Sequence, residues 1–322
     1  MRGADYVLKR AAFALITVFA AITLNFVMFR ALPGDAVTNL SRVPKATPEL
    51  KHALLIQFGL DKPKWEQYLI YLKQLTHANL GVSFDNSQPV LKNLKTDLAN
   101  TIPMVTLGTV FSIVFGILTG ILSAWRRGTL LDQVSTNTAV AFYSMPTQWL
   151  ALMLIILMAT RYHFPTQGIS DPFLLNPTPW AHIKDVLRHM FLPSLTLGLT
   201  LYGEYTLVVR SAMLETLGED YILTARAKGL PPSQIVRKHA LRNAMLPIAT
   251  LIALSLGYIV AGTVLIEYVF SWPGIGRAVV EAVHNRDYPM LQGAFLILTV
   301  SVVFFNFVAD LLYFKLDPRV TE

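Results

Sequence analysis

Long apolar runs, each close to twenty residues and separated by polar, basic stretches, constrain this chain more than any other feature. A helix rises about 1.5 Å per residue, so a run of that length crosses the roughly 30 Å hydrocarbon core of a bilayer. Six such spans are expected, at residues 8–30, 102–125, 134–160, 190–210, 244–266 and 290–313. Only 15% of the residues are charged, against about 25% in soluble domains. The expected fold class is therefore an all-α membrane protein with six transmembrane helices.

Lysine and arginine set the expected orientation, because basic residues are retained on the cytoplasmic side. With the N-terminus inside, the cytoplasmic segments carry thirteen: Arg2, Lys9, Arg10, Arg126, Arg127, Arg210, Arg226, Lys228, Arg237, Lys238, Arg242, Lys315 and Arg319. The two short outer loops carry five, Arg161, Lys184, Arg188, Arg277 and Arg286. Both termini and the 211–243 loop are thus expected in the cytoplasm, with a long outer loop at 31–101 and a last outer loop at 267–289. The first run follows Lys9-Arg10 but is too long for a signal-peptide core and shows no small-residue cleavage site, so it reads as an uncleaved span. The net charge of +7 follows from this flanking pattern. No basic stripe with interleaved aromatics occurs, which argues against nucleic acid.

The first outer loop reads as structured. Thr47-Pro48 signals a helix start, with 48–58 helical and Gly59 as its stop; 63–76 repeats the logic, and Val90, Leu91, Leu94 and Leu98 form a third amphipathic stretch. Packing and a platform for an external partner are both compatible with it. In the last outer loop, Ile275, Ala278, Val279, Ala282 and Val283 form a stripe that suits the membrane surface or closure of the outer mouth.

The polar segment 220–247 holds a short helix pattern, a glycine stop, a proline pair and a second helix pattern. Glu219 and Asp220 suit a helix N-terminus, Lys228 its C-terminus, and Gly229 the C′ position before Pro231-Pro232. Tyr221, Thr224, Ala225 and Lys228 are expected to share one face of a helix of about ten residues, with Ala225 and Ala227 small enough for close approach to a soluble subunit. Ser233 is expected to cap the second helix. From the residues alone, a solvated loop is an equal reading.

The segment Tyr221, Ile222, 224–230, 239–244 and Pro247 resembles the coupling loop of ABC-transporter permeases in bacterial dipeptide and oligopeptide importers. The wider Glu-Ala-Ala form of the motif is matched only at Ala225, Gly229 and Leu241, with Leu223, Thr224 and Arg242 departing from it. The stretches 267–276 (EYVFSWPGIG), 286–289 (RDYP), 310–319 and 80–84 followed by Pro89-Val90 are similar to other segments of that family, although Ala78-Asn79 replaces its Gly-Asp. The resemblance implies a type-I ABC importer permease fold. It implies ATPase-coupling roles for Tyr221, Thr224, Ala225, Arg226, Ala227, Lys228 and Gly229. It also implies a second homologous permease, two ABC ATPase subunits and an extracytoplasmic peptide-binding protein. Similar permeases move nickel chelates or glutathione.

The residues agree on what the chain does not supply. No phosphate-binding G-x-x-x-x-G-K-[ST] loop, G-x-S-x-G elbow or H-E-x-x-H helix occurs, and there is no cysteine. Catalysis is not expected, and no cofactor is expected in this chain, with ATP and Mg bound by partner subunits. Glu204 lies about 9 Å inside the end of its span and is expected either to line the path or gate it, or to make an interhelical contact. Asn25, Asn306 and Asp310 read as structural contacts, and Gly116 with Gly120 as a close-approach motif. A self-sufficient secondary transporter or channel is the distant alternative; the chain lacks the internal repeats that class shows.

Overall fold

The computed structural model describes residues 2–31, 59, 61–174 and 177–316. The expected helix at 48–58 and the last residues of the closing signature lie outside them. The described residues are helical: α1 (Arg2–Ala31), α2 (Lys64–Thr76), α3 (Val90–Trp125), α4 (Leu130–Ser144), α5 (Thr147–Tyr162), α6 (Pro179–Leu217), α7 (Asp220–Ala227), a π-helix (Ile235–Ala240), α8 (Leu241–Gly262), α9 (Val264–Val269), α10 (Ile275–Asn285) and α11 (Tyr288–Leu316). Three stretches, Asp5–Phe29, Val90–Trp125 and Tyr288–Leu311, are long and apolar enough to cross a membrane, and the α4–α5 pair makes up to a fourth. Helices α6 and α8 stand where the spans 190–210 and 244–266 were expected.

One expectation about continuity is corrected. The third span was expected to run unbroken over 134–160, but the chain bends by 108° between α4 and α5. Pro146 has no N–H and forces Met145 out of the helical region, to φ −80° and ψ 127°. The amphipathic stretch at 90–98 leads directly into the second span, as expected. It is the first part of α3, which continues through Pro103, just as α6 continues through Pro193. Ser194 Oγ donates to the Met104 carbonyl at 2.9 Å, joining the two helices beside those prolines.

Helices α3 and α6 form the centre, and glycine lets them meet. A Cβ on Gly116 would lie 2.5 Å from the Tyr205 Cβ; one on Gly120 would lie 2.7 Å from the Val209 Cβ and 2.8 Å from the Thr206 carbonyl. Backbone cannot yield as a side-chain tip can, so Gly120→Val is expected to lower stability by about 1–3 kcal/mol through overpacking. The thermal midpoint of the purified protein checks this.

The expected interhelical contacts of α1 are present. Asn25 Nδ2 donates to the Gln292 carbonyl at 3.0 Å, and Arg10 pairs with Asp310 at 3.1 Å. Helix α2 packs on α1 through Tyr68 and Tyr71 against Phe26, which is the packing role foreseen for this loop.

At the end of α3 opposite the 220–247 segment, distant sequence segments converge. Ser83 Oγ donates to Asp287 Oδ2 at 2.5 Å, bringing the 80–84 and 286–289 motifs together. Ile275 and Ala282 of α10 are buried against Val90, Leu94 and Met290, so that part of the stripe packs on the protein itself, while Val283 is exposed. Glu267 is fully buried. It accepts from Thr101 Oγ1 at 2.8 Å, Thr263 Oγ1 at 3.1 Å, and the backbone N–H groups of Gly276 at 2.7 Å and Arg277 at 3.1 Å. The last two lie in the first turn of α10, where a carboxylate is favoured by the helix dipole.

Candidate functional site

The segment between α6 and α8 is ordered by its own chemistry. Helix α7 has 8 residues, two shorter than expected, and Lys228 is its C-cap. Gly229 follows at φ +74°, the left-handed conformation that glycine adopts without a Cβ penalty. Gly229 N–H donates to the Arg226 carbonyl at 2.9 Å and Leu230 N–H to the Ala225 carbonyl at 3.3 Å. These are the paired bonds of a Schellman ending. The Gly229 stop was legible in the sequence.

The face that α7 turns inward was not. Ile222 and Ala225 are buried in an apolar cluster with Ala124 of α3, Val209, Ala212 and Met213 of α6, Ile235 and Val236 of the π-helix, and Ala244 and Ile248 of α8. Ala225 was expected on the partner-facing side together with Tyr221, Thr224 and Lys228. It instead seats the helix on the ends of the long helices, and its small size permits that seating. Leu223, Thr224, Arg226, Ala227, Lys228 and Gly229 are exposed. Tyr221 is 38% exposed, but its hydroxyl accepts from Asn243 Nδ2 at 2.6 Å and so ties α7 to the start of α8.

Ser233 does not cap the next helix. Pro231 occupies the N-cap position, one turn follows at Pro232–Gln234, and the chain then winds as the π-helix Ile235–Ala240. The proline pair fixes the entry, since proline at a first helical position loses no hydrogen bond. π-turns are rare and frequent at functional sites.

Glu204 is half-buried on α6. Its side chain makes no hydrogen bond or ion pair among the described residues, so the interhelical contact considered for it does not appear there. Two sites that the sequence reading passed over stand out by geometry. One is the Glu267 cradle described above. The other is a bidentate ion pair between Asp132 of α4 and Arg210 of α6. In the sequence Arg210 stands out only as a basic flank of its span. No group of three or more His, Asp or Glu suited to hold a metal ion occurs among the described residues.

Long apolar helices with a small polar helix seated on their ends suit a membrane protein with an ordered face toward water. The chain belongs to the family described as the binding-protein-dependent transport system inner membrane component, which it matches over residues 112–322; residues 4–105 match that family's N-terminal membrane component. It is 36% identical over 333 residues to the dipeptide transport system permease protein DppB of Escherichia coli (strain K12), with 98% of each chain covered. It is 36% identical over 330 residues to the di/tripeptide transport system permease protein DppB of Pseudomonas aeruginosa, and 32% identical over 317 residues to the glutathione transport system permease protein GsiC of Escherichia coli O6:H1, again with 98% of each chain covered. Among solved structures, it resembles inward-facing conformations of the MetNI methionine ABC transporter, with a TM-score of 0.56 at 21% identity, covering 72% of this chain and 99% of that one. The fold is thus that of a type-I ABC importer permease, and the chain is an inner-membrane permease of an ABC importer.

Proposed function

We propose that this permease forms half of the translocation path of an ATP-driven importer of di- and oligopeptides, working by alternating access. In this reading six helices span the membrane, with both termini and α7 in the cytoplasm. A second homologous permease completes the path. Two ATPase subunits bind and hydrolyse ATP with Mg, and an extracytoplasmic binding protein delivers the peptide. Whole-length similarity to two dipeptide permeases supports the cargo class.

The observation that carries the mechanism is the seating of α7. Ile222 and Ala225 fix it in a cluster shared by α3, α6 and α8, while Leu223, Thr224, Arg226, Ala227 and Lys228 face outward. A partner that grips the outward face would move three long helices through the inward one. Co-purification tests the assembly: ATPase chains should accompany this permease, and vesicles holding the full set should take up radiolabelled dialanine only with ATP and the binding protein. Uptake by this chain alone would overturn the reading. Glutathione is the competing cargo because of the GsiC similarity; dialanine uptake that excess glutathione abolishes would favour it.

Glu204 is the candidate path residue. Glu204→Gln is expected to reduce peptide uptake several-fold, on the order of 1 kcal/mol, without lowering the amount of assembled complex. Unchanged uptake would remove Glu204 from the path.

A further inference from the structure

We infer that Ser123, Asp132 and Arg210 form a clamp that makes α3, α4 and α6 follow the coupling helix as one body, so that these are positioning residues for transport. The inference rests on the importer reading above. Asp132 is 4% exposed and Ser123 fully buried. Arg210 Nε donates to Asp132 Oδ1 at 2.7 Å and Arg210 Nη2 to Oδ2 at 2.9 Å. The Gly128 N–H donates to Oδ2 at 2.9 Å, and the Ser123 hydroxyl donates to Oδ1. Arg210 Nε also approaches Ser123 Oγ at 3.2 Å. One carboxylate therefore binds the end of α3, the turn after it, the first turn of α4 and the inner part of α6.

The position of the clamp matters as much as its bonds. Ala124 adjoins Ser123 and Val209 adjoins Arg210, and both lie in the cluster that seats Ile222 and Ala225 of α7. Apolar seating is non-directional, so it tolerates sliding. A two-bond guanidinium–carboxylate fork is directional and cannot shear without uncovering a buried charge. Higher up, Gly116 and Gly120 already interlock α3 with α6. Helix α4 meets α6 at Gly203, where a Cβ would clash with the Ala139 carbonyl, but no glycine brings it to α3 among the described residues; the clamp adds the directional tie of α4 to both. Beyond α4 the chain bends by 108° into α5, so whatever α4 receives is passed on at an angle. Stability alone is a poor account of the trio, because a buried ion pair often contributes no more than apolar residues of equal volume. A fixed relation between three helices is what the fork adds.

The test uses the assembled transporter in vesicles, with radiolabelled dialanine as cargo, and reads the ATP hydrolysed per dipeptide imported. Arg210→Lys keeps the charge but loses the fork. Asp132→Asn with Arg210→Gln removes both charges and leaves neither stranded. Ser123→Ala removes one hydroxyl. The ratio is expected to rise up to about tenfold in the first two and about two- to threefold in the third, the range of coupling changes that single contacts produce. A residue that only held the fold together would lower the amount of assembled transporter and leave this ratio unchanged. Wild-type ratios in Arg210→Lys and in the double variant would overturn the clamp. So would loss of assembly in all three variants, since a purely architectural role would then account for the trio. A wild-type complex without ATP-dependent uptake would instead overturn the importer reading beneath it.

Discussion

Glu267→Ala is expected to leave little folded protein, with a loss on the order of 3–5 kcal/mol. The carboxylate is fully buried and satisfies four donors at once. Truncation removes the acceptor shared by two hydroxyls and the two N–H groups that open α10. It also leaves a void beside Gly274, whose absent Cβ makes room for the carboxylate, 2.5 Å from where that atom would stand. The damage would spread, because the same join carries Trp272 Nε1 donating to the Asn100 carbonyl at 3.0 Å and Asn100 Nδ2 donating to the Pro273 carbonyl at 2.8 Å. Glu267→Gln keeps one acceptor oxygen but turns an NH₂ group toward donors, so it should fall between wild type and alanine. Thr101→Ala, which removes one hydroxyl, should cost about 1–2 kcal/mol. Yield after detergent extraction and thermal midpoint check the series. A wild-type midpoint for Glu267→Ala would refute the claim that this carboxylate holds α3, α9 and α10 together.

Gly229→Pro is expected to abolish peptide uptake while leaving membrane insertion intact. Proline fixes φ near −65°, whereas Gly229 sits at +74°. It also deletes the N–H that bonds the Arg226 carbonyl and disfavours the near-helical conformation of the preceding Lys228. The local penalty is about 3 kcal/mol or more, concentrated on the end of α7. Gly229→Ala separates backbone from bulk. A Cβ there would meet nothing within 4 Å, so only the left-handed penalty of about 1–2 kcal/mol remains, and most uptake should survive. Ala225→Trp attacks the same helix from its inward face: at 5% exposure the site has no room, and overpacking would lift α7 from its seat. Dialanine uptake in vesicles, normalised to inserted protein, reads all three. Normal uptake with Gly229→Pro would mean that the ending of α7 plays no part in coupling.

The sequence by itself determined what depends on local torsion and on burial in bulk. Apolar length marked the helices around 8–30, 102–125, 190–210, 244–266 and 290–313. Gly229 and the proline pair marked where α7 stops, and Asn25 and the Gly116–Gly120 pair marked contacts between helices. These follow from side-chain chemistry within a few residues, and neighbours in sequence are neighbours on a helix. Only the tertiary structure decided that Pro146 breaks a span while Pro103 and Pro193 do not, since a proline inside a helix persists where packing on other helices holds both sides in place. It decided that Ala225 faces the protein rather than a partner, because an eight-residue helix with apolar residues on more than one side, Ile222 and Ala225 against Leu223 and Ala227, has no fixed inward face until a cluster accepts one. And it decided that Glu267 meets Thr101, that Ser83 meets Asp287, and that Asp132 meets Arg210. A buried carboxylate must find donors, but which distant donors it finds is set by how the long helices cross, and no local pattern of residues encodes that crossing.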